Sequence, residues 1–349
     1  MLSIRTYSRL YDIPSLTDWD KLRQGNGRWR VSESILWMEI ARNALGHRPY
    51  YVTAWEGELL AGALAFAEIR SYIFGSFLVS MPYVNWGGPV AANHQVKSAL
   101  LEAAIQLAEL RRVDYLEIRA DLDTTDARWV KRSGQKVIML LDLSSSEGQL
   151  WQRLGSKVRN QVRKAQKLSM NLICGGKQLA DDFCNIYSSN MQYLGTPTYP
   201  ATFVATIAEC FRDRCEIVLV SQGKRPVAGA VLLHGNGISE VPLAACLPEY
   251  RSSCASMLLY WELLRRSIER GSLVFDFGRC TKDSGSYHFK KQWGARAQEL
   301  VWYYYIRRTD PATMAKEHPR FRVWQSIWKW LPQYLAQLLG SYIVRGIPV

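Results

Sequence analysis

The chain repeats its own order of elements, and this repetition constrains the fold more than any single motif does. Hydrophobic periodicity predicts a helix over Ser34–Leu45, ended by Gly46. Strands follow over Pro49–Trp55, Leu59–Arg70 and Ser71–Val79, with a turn at Gly57. A turn-rich segment, Met81–Pro89 (MPYVNWGGP), leads to a helix over Asn93–Arg111 and strands over Tyr115–Arg119 and Lys136–Leu143. Glu147–Lys167 reads as one helix, followed by a strand over Met170–Cys174. The second half then runs in the same order. It has helices over Leu179–Met191 and Pro200–Phe211, and strands over Cys215–Ser221, Pro226–His234 and Gly237–Ala244. A polar loop over Pro248–Ser256 precedes a helix over Met257–Arg270 and strands over Leu273–Phe277 and Glu299–Arg307. The match is one of pattern, with weak residue identity. Its simplest reading is two similar α/β lobes, 1–143 and 144–309, each a mixed, mostly antiparallel sheet flanked by helices. One large mixed sheet is the competing arrangement. Residues 310–349 form an aromatic, helical tail.

Composition narrows the class. A chain of 349 residues suits one or two domains, and 48% hydrophobic with 21% charged residues suits a globular protein. No run of about 20 apolar residues is present to span a bilayer, and the N-terminus shows no apolar leader core. The expectation is a cytoplasmic protein. The seven Cys are odd in number and not at metal-ligand spacing, which predicts reduced thiols and no metal site. The absence of a nucleophile elbow leaves a covalent hydrolase unsupported. A formal net charge of +13 raises the local concentration of anionic partners without naming them.

Functional side chains crowd most densely into Phe275–Ala297, FDFGRCTKDSGSYHFKKQWGARA. An apolar strand ends at Asp276, glycines break it, and a basic, aromatic knot follows. Acyl transfer to an amine needs a base, oxyanion stabilisation and a positioned donor. Asp276 or His288 suits the first role, and Lys290 or Lys291 the second. Arg279 and Tyr287 are candidate ligands, with Phe289 and Trp293 as anchors. Two further segments suit anions. Trp151–Lys167 carries Arg153, Lys157, Arg159, Arg163, Lys164 and Lys167 with no acidic residue between them, and Arg159, Arg163 and Lys167 share one helical face. Either acidic groups elsewhere in the fold compensate them, or the face recognises phosphate, carboxylate or nucleic acid. The second segment, Leu247–Met257, opens a long helix, where free N–H groups can hold a diphosphate. Here Arg251, Cys254 and Ser256 resemble the R/Q-x-x-G-x-G/A pyrophosphate loop of the GCN5-related N-acetyltransferase fold, with Cys254 and Ser256 in place of small residues and Ser256 as the expected N-cap.

In the tail, Phe321, Trp324, Ile327, Trp328 and Leu331 form an aromatic stripe, continued past Pro332 by Leu335, Leu338 and Leu339. The expectation is that it packs on the body. A peripheral membrane contact, favoured by the flanking Arg320, Arg322 and Lys329, is the alternative.

Five motifs together carry a resemblance. They are Val84–Pro89 (VNWGGP, with Asn85), Lys157–Ala165 (KVRNQVRKA), Leu247–Arg251 (LPEYR), Asp276–Arg279 (DFGR) and Tyr287–Gly294 (YHFKKQWG). With them the chain resembles, over residues 1–349, the FemAB-like family of the GCN5-related N-acetyltransferase (GNAT) superfamily. Its nearest likeness is to the FemAB-related proteins associated with exosortase/PEP-CTERM systems, whose genes lie beside exopolysaccharide loci. The resemblance implies two tandem GNAT-like lobes and an acyltransferase that joins an acyl or aminoacyl group to an amine. Peptidoglycan-bridge relatives carry a basic residue near Phe289-Lys290, which makes Lys290 the first choice for transition-state help. The implied donor is acyl-CoA or aminoacyl-tRNA, with no tightly bound cofactor. The implied acceptor is an anionic small-molecule or lipid-linked precursor, such as an amino sugar. A non-catalytic module that binds an anionic polymer is the competing function.

Overall fold

In the computed structural model, the described residues are 1–14, 16–24, 27–72, 74–134, 136–310, 326 and 328–347. They divide into two compact units, one from residues 1–134, 300–310 and 342–347, the other from 136–299 and 328–341.

The first unit holds strands β1 (Leu2–Tyr7), β2 (Arg48–Glu56), β3 (Leu59–Ser71), β4 (Gly75–Val79), β5 (Val90–Ala91), β6 (Tyr115–Ile118) and β7 (Trp129–Arg132). Helices α1 (Leu16–Gln24), α2 (Leu36–Leu45) and α3 (His94–Arg111) flank them. The second unit opens with β8 (Lys136–Asp142), α4 (Glu147–Arg153), α5 (Ser156–Lys167) and β9 (Met170–Gly175). It continues through α6 (Ala180–Tyr193), α7 (Ala201–Phe211), β10 (Cys215–Gln222), β11 (Arg225–His234) and β12 (Ile238–Cys246). Next come α8 (Ala255–Glu269), β13 (Val274–Thr281), α9 (Gly285–Lys291) and β14 (Arg296–Glu299). The chain then returns to the first sheet as β15 (Trp302–Ile306), and α10 (Gln333–Ile343) follows in the tail.

Apart from β5, which pairs with β3 off the path of the first sheet, the two sheets match strand for strand. The first runs β1-β2-β3-β4-β6-β15-β7 and the second β9-β10-β11-β12-β13-β8-β14. Each contains a single parallel pair, β4/β6 and β12/β13, among antiparallel neighbours. The expected mixed, mostly antiparallel sheets with flanking helices are present. The expected boundaries need a correction. Lys136–Asp142 pairs with β13 and β14 of the second sheet, whereas Trp302–Ile306 pairs with β6 and β7 of the first. The last strand expected in each lobe therefore lies in the other sheet. A short apolar run encodes a strand but not the edge it joins.

In the second unit both faces of the central strands are buried, which explains their near-continuous apolar runs. Val218, Val220, Ala228 and Ala230 share a core with Val158 and Val162 of α5 and Leu259 and Leu263 of α8. On the other face, Gly229 lets Leu219 of β10 and Phe183 of α6 approach, since a Cβ there would lie 2.7 and 3.0 Å from them. The single helix expected over Glu147–Lys167 is two helices, because Leu154 takes an extended backbone (ψ 140°) and Gly155 opens α5.

The tail reverses one expectation. Phe321, Trp324 and Ile327 lie outside the described residues. Trp328 is buried, but α10 buries its small residues, Ala336 and Gly340, with Gly340 against Thr198. Leu338 and Leu339, expected to pack, are exposed instead. Gln333 and Gln337 donate to Ser189 and Ser188 of α6, so polar bonds hold the helix there. Among the described residues no helix is long and apolar enough to cross a membrane.

Candidate functional site

The second unit's parallel strands form a fork. β12 and β13 pair only at Ile238↔Val274, Ser239↔Phe275 and Glu240↔Asp276. β13 pairs with β8 along its length, with a register shift between Asp276 and Arg279, whereas beyond Glu240 β12 keeps only β11 as a strand partner. Among the described residues, no strand therefore lies beside the edge of Val241–Cys246 that leaves β13.

Gly278 is the pivot. Its φ of +77° favours glycine, and a Cβ there would lie 3.0 Å from the Val241 carbonyl oxygen. Asp276 Oδ1 accepts the Gly278 N–H at 2.7 Å. Lys290, reaching from α9, donates through Nζ to the carbonyls of Gly278 (2.9 Å) and Arg279 (3.0 Å). Asp276 is 1% exposed and Lys290 6%. Each carbonyl would cost about 1–3 kcal/mol if buried without a donor, so the lysine holds the bulge in place. Burial lowers the Lys290 pKa to about 8. Cys280 and Asp276 pull it up and Arg279 pushes it down, but burial outweighs them.

The basic, aromatic knot divides into an inner and an outer face. Ser284 caps α9 by accepting the Tyr287 N–H. Tyr287 and Trp293 are core residues, and Tyr260 collects Phe277, Phe289 and Trp293 at ring distances of 5.5, 5.1 and 6.4 Å. His288 and Lys291 are exposed, both against the Tyr287 ring. The structure thus brings Asp276, Arg279 and Lys290 together but separates His288 from Lys290. Residues two apart on a helix point to different sides, which sequence proximity conceals. Tyr287, a candidate ligand, and Trp293, an expected anchor, both lie in the core.

One end of the fork leads to the turn before α8. Cys254, not Ser256, occupies the N-cap, with a left-handed backbone (φ +63°) and no side-chain cap. Its carbonyl accepts the Met257 and Leu258 N–H groups. Cysteine thus takes the conformation for which glycine is favoured, at a cost of roughly 1–2 kcal/mol. Ser256 lies within the helix. Arg251 donates to Asn190 Oδ1 (3.3 Å) and stacks over Tyr193 (4.8 Å). Lys164 Nζ donates to the Ser252 carbonyl at 2.9 Å, tying α5 to the turn.

Helix α5 buries Val158, Val162 and Ala165 and turns Lys157, Arg163, Lys164 and Lys167 outward. Arg163 lies over the Trp151 ring at 5.5 Å. Arg159 is half-buried, and its Nε is enclosed without a hydrogen-bond partner. The acidic compensation considered for this helix is missing: among the described residues, none of its cations, nor Arg153, forms an ion pair.

Asn85 belongs to the other unit and to a different structure. There β4 and β6 also pair over three residues, ending at Val79↔Glu117. The chain then sews the fork shut. Ser80 N donates to the Glu117 carbonyl (2.9 Å), Arg119 N to Ser80 Oγ (2.9 Å) and Gly87 N to the Arg119 carbonyl (3.0 Å). Arg119, fully buried, donates to Glu117 Oε1 (2.6 Å) and to the Val84 carbonyl, beneath the Trp302 ring. Gly87 and Gly88 permit the crossing, since a Cβ on them would sit 2.6 and 2.5 Å from Met81 and Ala120. Asn85 contributes its carbonyl to Trp302 Nε1 (3.3 Å). Sequence reasoning missed Arg119 as the closing residue and Gly278 as the pivot. An isolated glycine inside a strand pattern was the available signal for the second.

Residues 153–291 match the family described as acetyltransferase (GNAT) domain, a span that includes α5, the turn, the fork and α9. The fold is similar to the crystal structure of FemX at 14% identity and a TM-score of 0.67, covering 89% of this chain and 99% of that one. It is also similar to a tandem GNAT protein from the clavulanic acid biosynthesis pathway (11%, TM-score 0.57, covering 87% and 98%). A third likeness is the C-terminal domain of a putative lysylphosphatidylglycerol synthetase from Agrobacterium fabrum (8%, TM-score 0.58, covering 85% and 93%). No curated protein matches the chain. The chain therefore has a GNAT-superfamily fold, arranged as two tandem GNAT-like lobes. Within that superfamily its fold is related to that of FemX-type proteins.

Proposed function

We propose that the chain transfers an acyl or aminoacyl group to an amine, and that the open fork of the second unit is where it does so. The observation that carries this reading is the parting of β12 and β13 inside the GNAT-matched span. It leaves a free backbone edge beside a bulge fixed by Asp276 and Lys290. In the reaction the acceptor nitrogen attacks the acyl carbonyl carbon. A C–N bond forms, and the bond to the donor's sulfur or oxygen breaks. The proton lost by nitrogen balances the one gained by the leaving group. Lys290 and Asp276 serve as positioning residues, because both spend their polar atoms on the bulge.

Two donor classes fit. The left-handed Cys254 at the start of α8 suits an anion-binding backbone nest, which favours acyl-CoA. The unpaired cations of α5 favour the larger anion, aminoacyl-tRNA. For the acceptor we propose an amino sugar or other cell-envelope or exopolysaccharide precursor, in keeping with the resemblance to exosortase-associated proteins. The alternative is a module that binds an anionic polymer without turnover, supported by the same α5 face.

The test incubates the full chain with radiolabelled acetyl-CoA, or with an aminoacylated tRNA pool, and a set of free and nucleotide-linked amino sugars. Mass spectrometry then reads the acceptor. One donor class is expected to yield an N-acylated product. Salt-sensitive binding of polyanions with no product from either donor would favour the binding module instead.

A further inference from the structure

The first unit carries a concavity at the N-terminal end of β4, whereas its closed fork lies at the C-terminal end. This groove, about 560 Å³ in volume, is lined by the end of α2, the start of β2, the β3–β4 turn and residues 342–346. Four arginines line it, Arg48, Arg70, Arg111 and Arg345, against one carboxylate, Glu68. Glu68 is already committed: it is buried and accepts from Tyr50, Arg70 and Arg111. Burial raises its pKa, but the bonds from Arg70 and Tyr50 and the charge of Arg111 lower it further. Among the described residues neither Arg48 nor Arg345 has a carboxylate partner, and both are exposed. His47 adds no charge at neutral pH, since burial and then Arg345 depress its pKa to about 4. The groove is therefore cationic: Arg48 lies over the Tyr50 ring at 5.4 Å, and among the described residues no carboxylate neutralises it or Arg345.

Its rim is aromatic. Tyr72 is fully exposed and Tyr342 is 70% exposed. Tyr342 stands one residue before the end of α10, and Gln333–Ile343 contains no charge. Folding alone gives no reason to leave such side chains in water. Guanidinium groups grip phosphate with paired bonds, and tyrosines settle where lipid headgroups meet acyl chains. We propose that this groove takes the phosphate of an anionic phospholipid and holds the first unit against a negatively charged bilayer surface. A soluble phosphate would satisfy the arginines but leave the tyrosines unused. The proposal is independent of the acyl-transfer reading.

The test is co-sedimentation of the full chain with vesicles of phosphatidylcholine alone or with added phosphatidylglycerol. Binding is expected only with phosphatidylglycerol, and it should weaken with salt. The double variant Arg48→Gln/Arg345→Gln should bind about thirtyfold more weakly, at about 1 kcal/mol per arginine near such a surface. Tyr72→Ser/Tyr342→Ser should weaken binding and keep its salt dependence. All these positions are exposed, so unchanged thermal melting will show that the variants fold. Equal binding to both vesicle types, or an unaffected arginine variant, would overturn the proposal. So would stabilisation by inorganic phosphate without vesicle binding, which would mark the groove as a soluble-phosphate site.

Discussion

Each unit contains one pair of parallel strands that starts together over three residues and then parts, and the two forks end differently. In the first, Ser80–Gly88 crosses between the strands, and a buried Arg119–Glu117 pair locks it there. In the second, nothing among the described residues pairs with the free edge of β12, and the bulge beside it is held from behind by Lys290. The same topology thus yields one fork filled by protein and one left open. Fold alone does not make a site; the segment after the parallel strand decides it.

Breaking the closed fork should give the largest effect. Arg119→Ala leaves Glu117 buried without its cation, and a loss of about 3–5 kcal/mol is expected in urea unfolding. A loss below about 1 kcal/mol would mean that the lock does not hold the segment. In the open fork, Lys290→Met should leave the chain folded but lower kcat about a hundredfold through misplacement of the bulge, with a smaller change in the donor KM. A change confined to KM would assign Lys290 to binding.

The same lysine predicts a pH effect. Its folded pKa lies near 8, below the ordinary value of 10.5. The unfolded chain therefore binds more protons between these values, and the stability difference between wild type and Lys290→Met should move in favour of wild type as pH rises from 8 to 10.5. The change is about 3 kcal/mol at most. A flat difference across that window would show that the lysine titrates normally. The smallest effect concerns the turn: Cys254→Gly should stabilise the chain by about 1 kcal/mol or less by relieving the left-handed backbone. Destabilisation there would mean that the cysteine side chain supports the turn.

Much of this comparison was legible in the sequence. Periodicity located most helices and strands of both units but not α1, α9, β5, β7 or β14, and the dense Phe275–Ala297 segment does fall on the open fork. Three features were hidden for physical reasons. The exchange of β8 and β15 depends on which sheet edge each strand meets, which a five- to seven-residue apolar run does not encode. His288 and Lys290 look like partners in the sequence, but the turn of a short helix sends one outward and one into the core. Leu338 and Leu339 satisfy an apolar pattern, yet α10 packs through Ala336 and Gly340, because small residues allow the closer approach. The closure of the first fork by Arg119 had no local signal, since the carbonyl it grips, that of Val84, lies 35 residues away within the crossing segment.

The central claim is that the second fork receives the donor and the first cannot. Hydrogen exchange of the full chain, read with coenzyme A and separately with an aminoacylated tRNA pool, tests it most directly. One of these probes is predicted to slow exchange in Val241–Cys246 and Phe275–Thr281 while leaving Val79–Gly88 and Tyr115–Arg119 unchanged. Protection of the first fork, or none at the second with either probe, would contradict it.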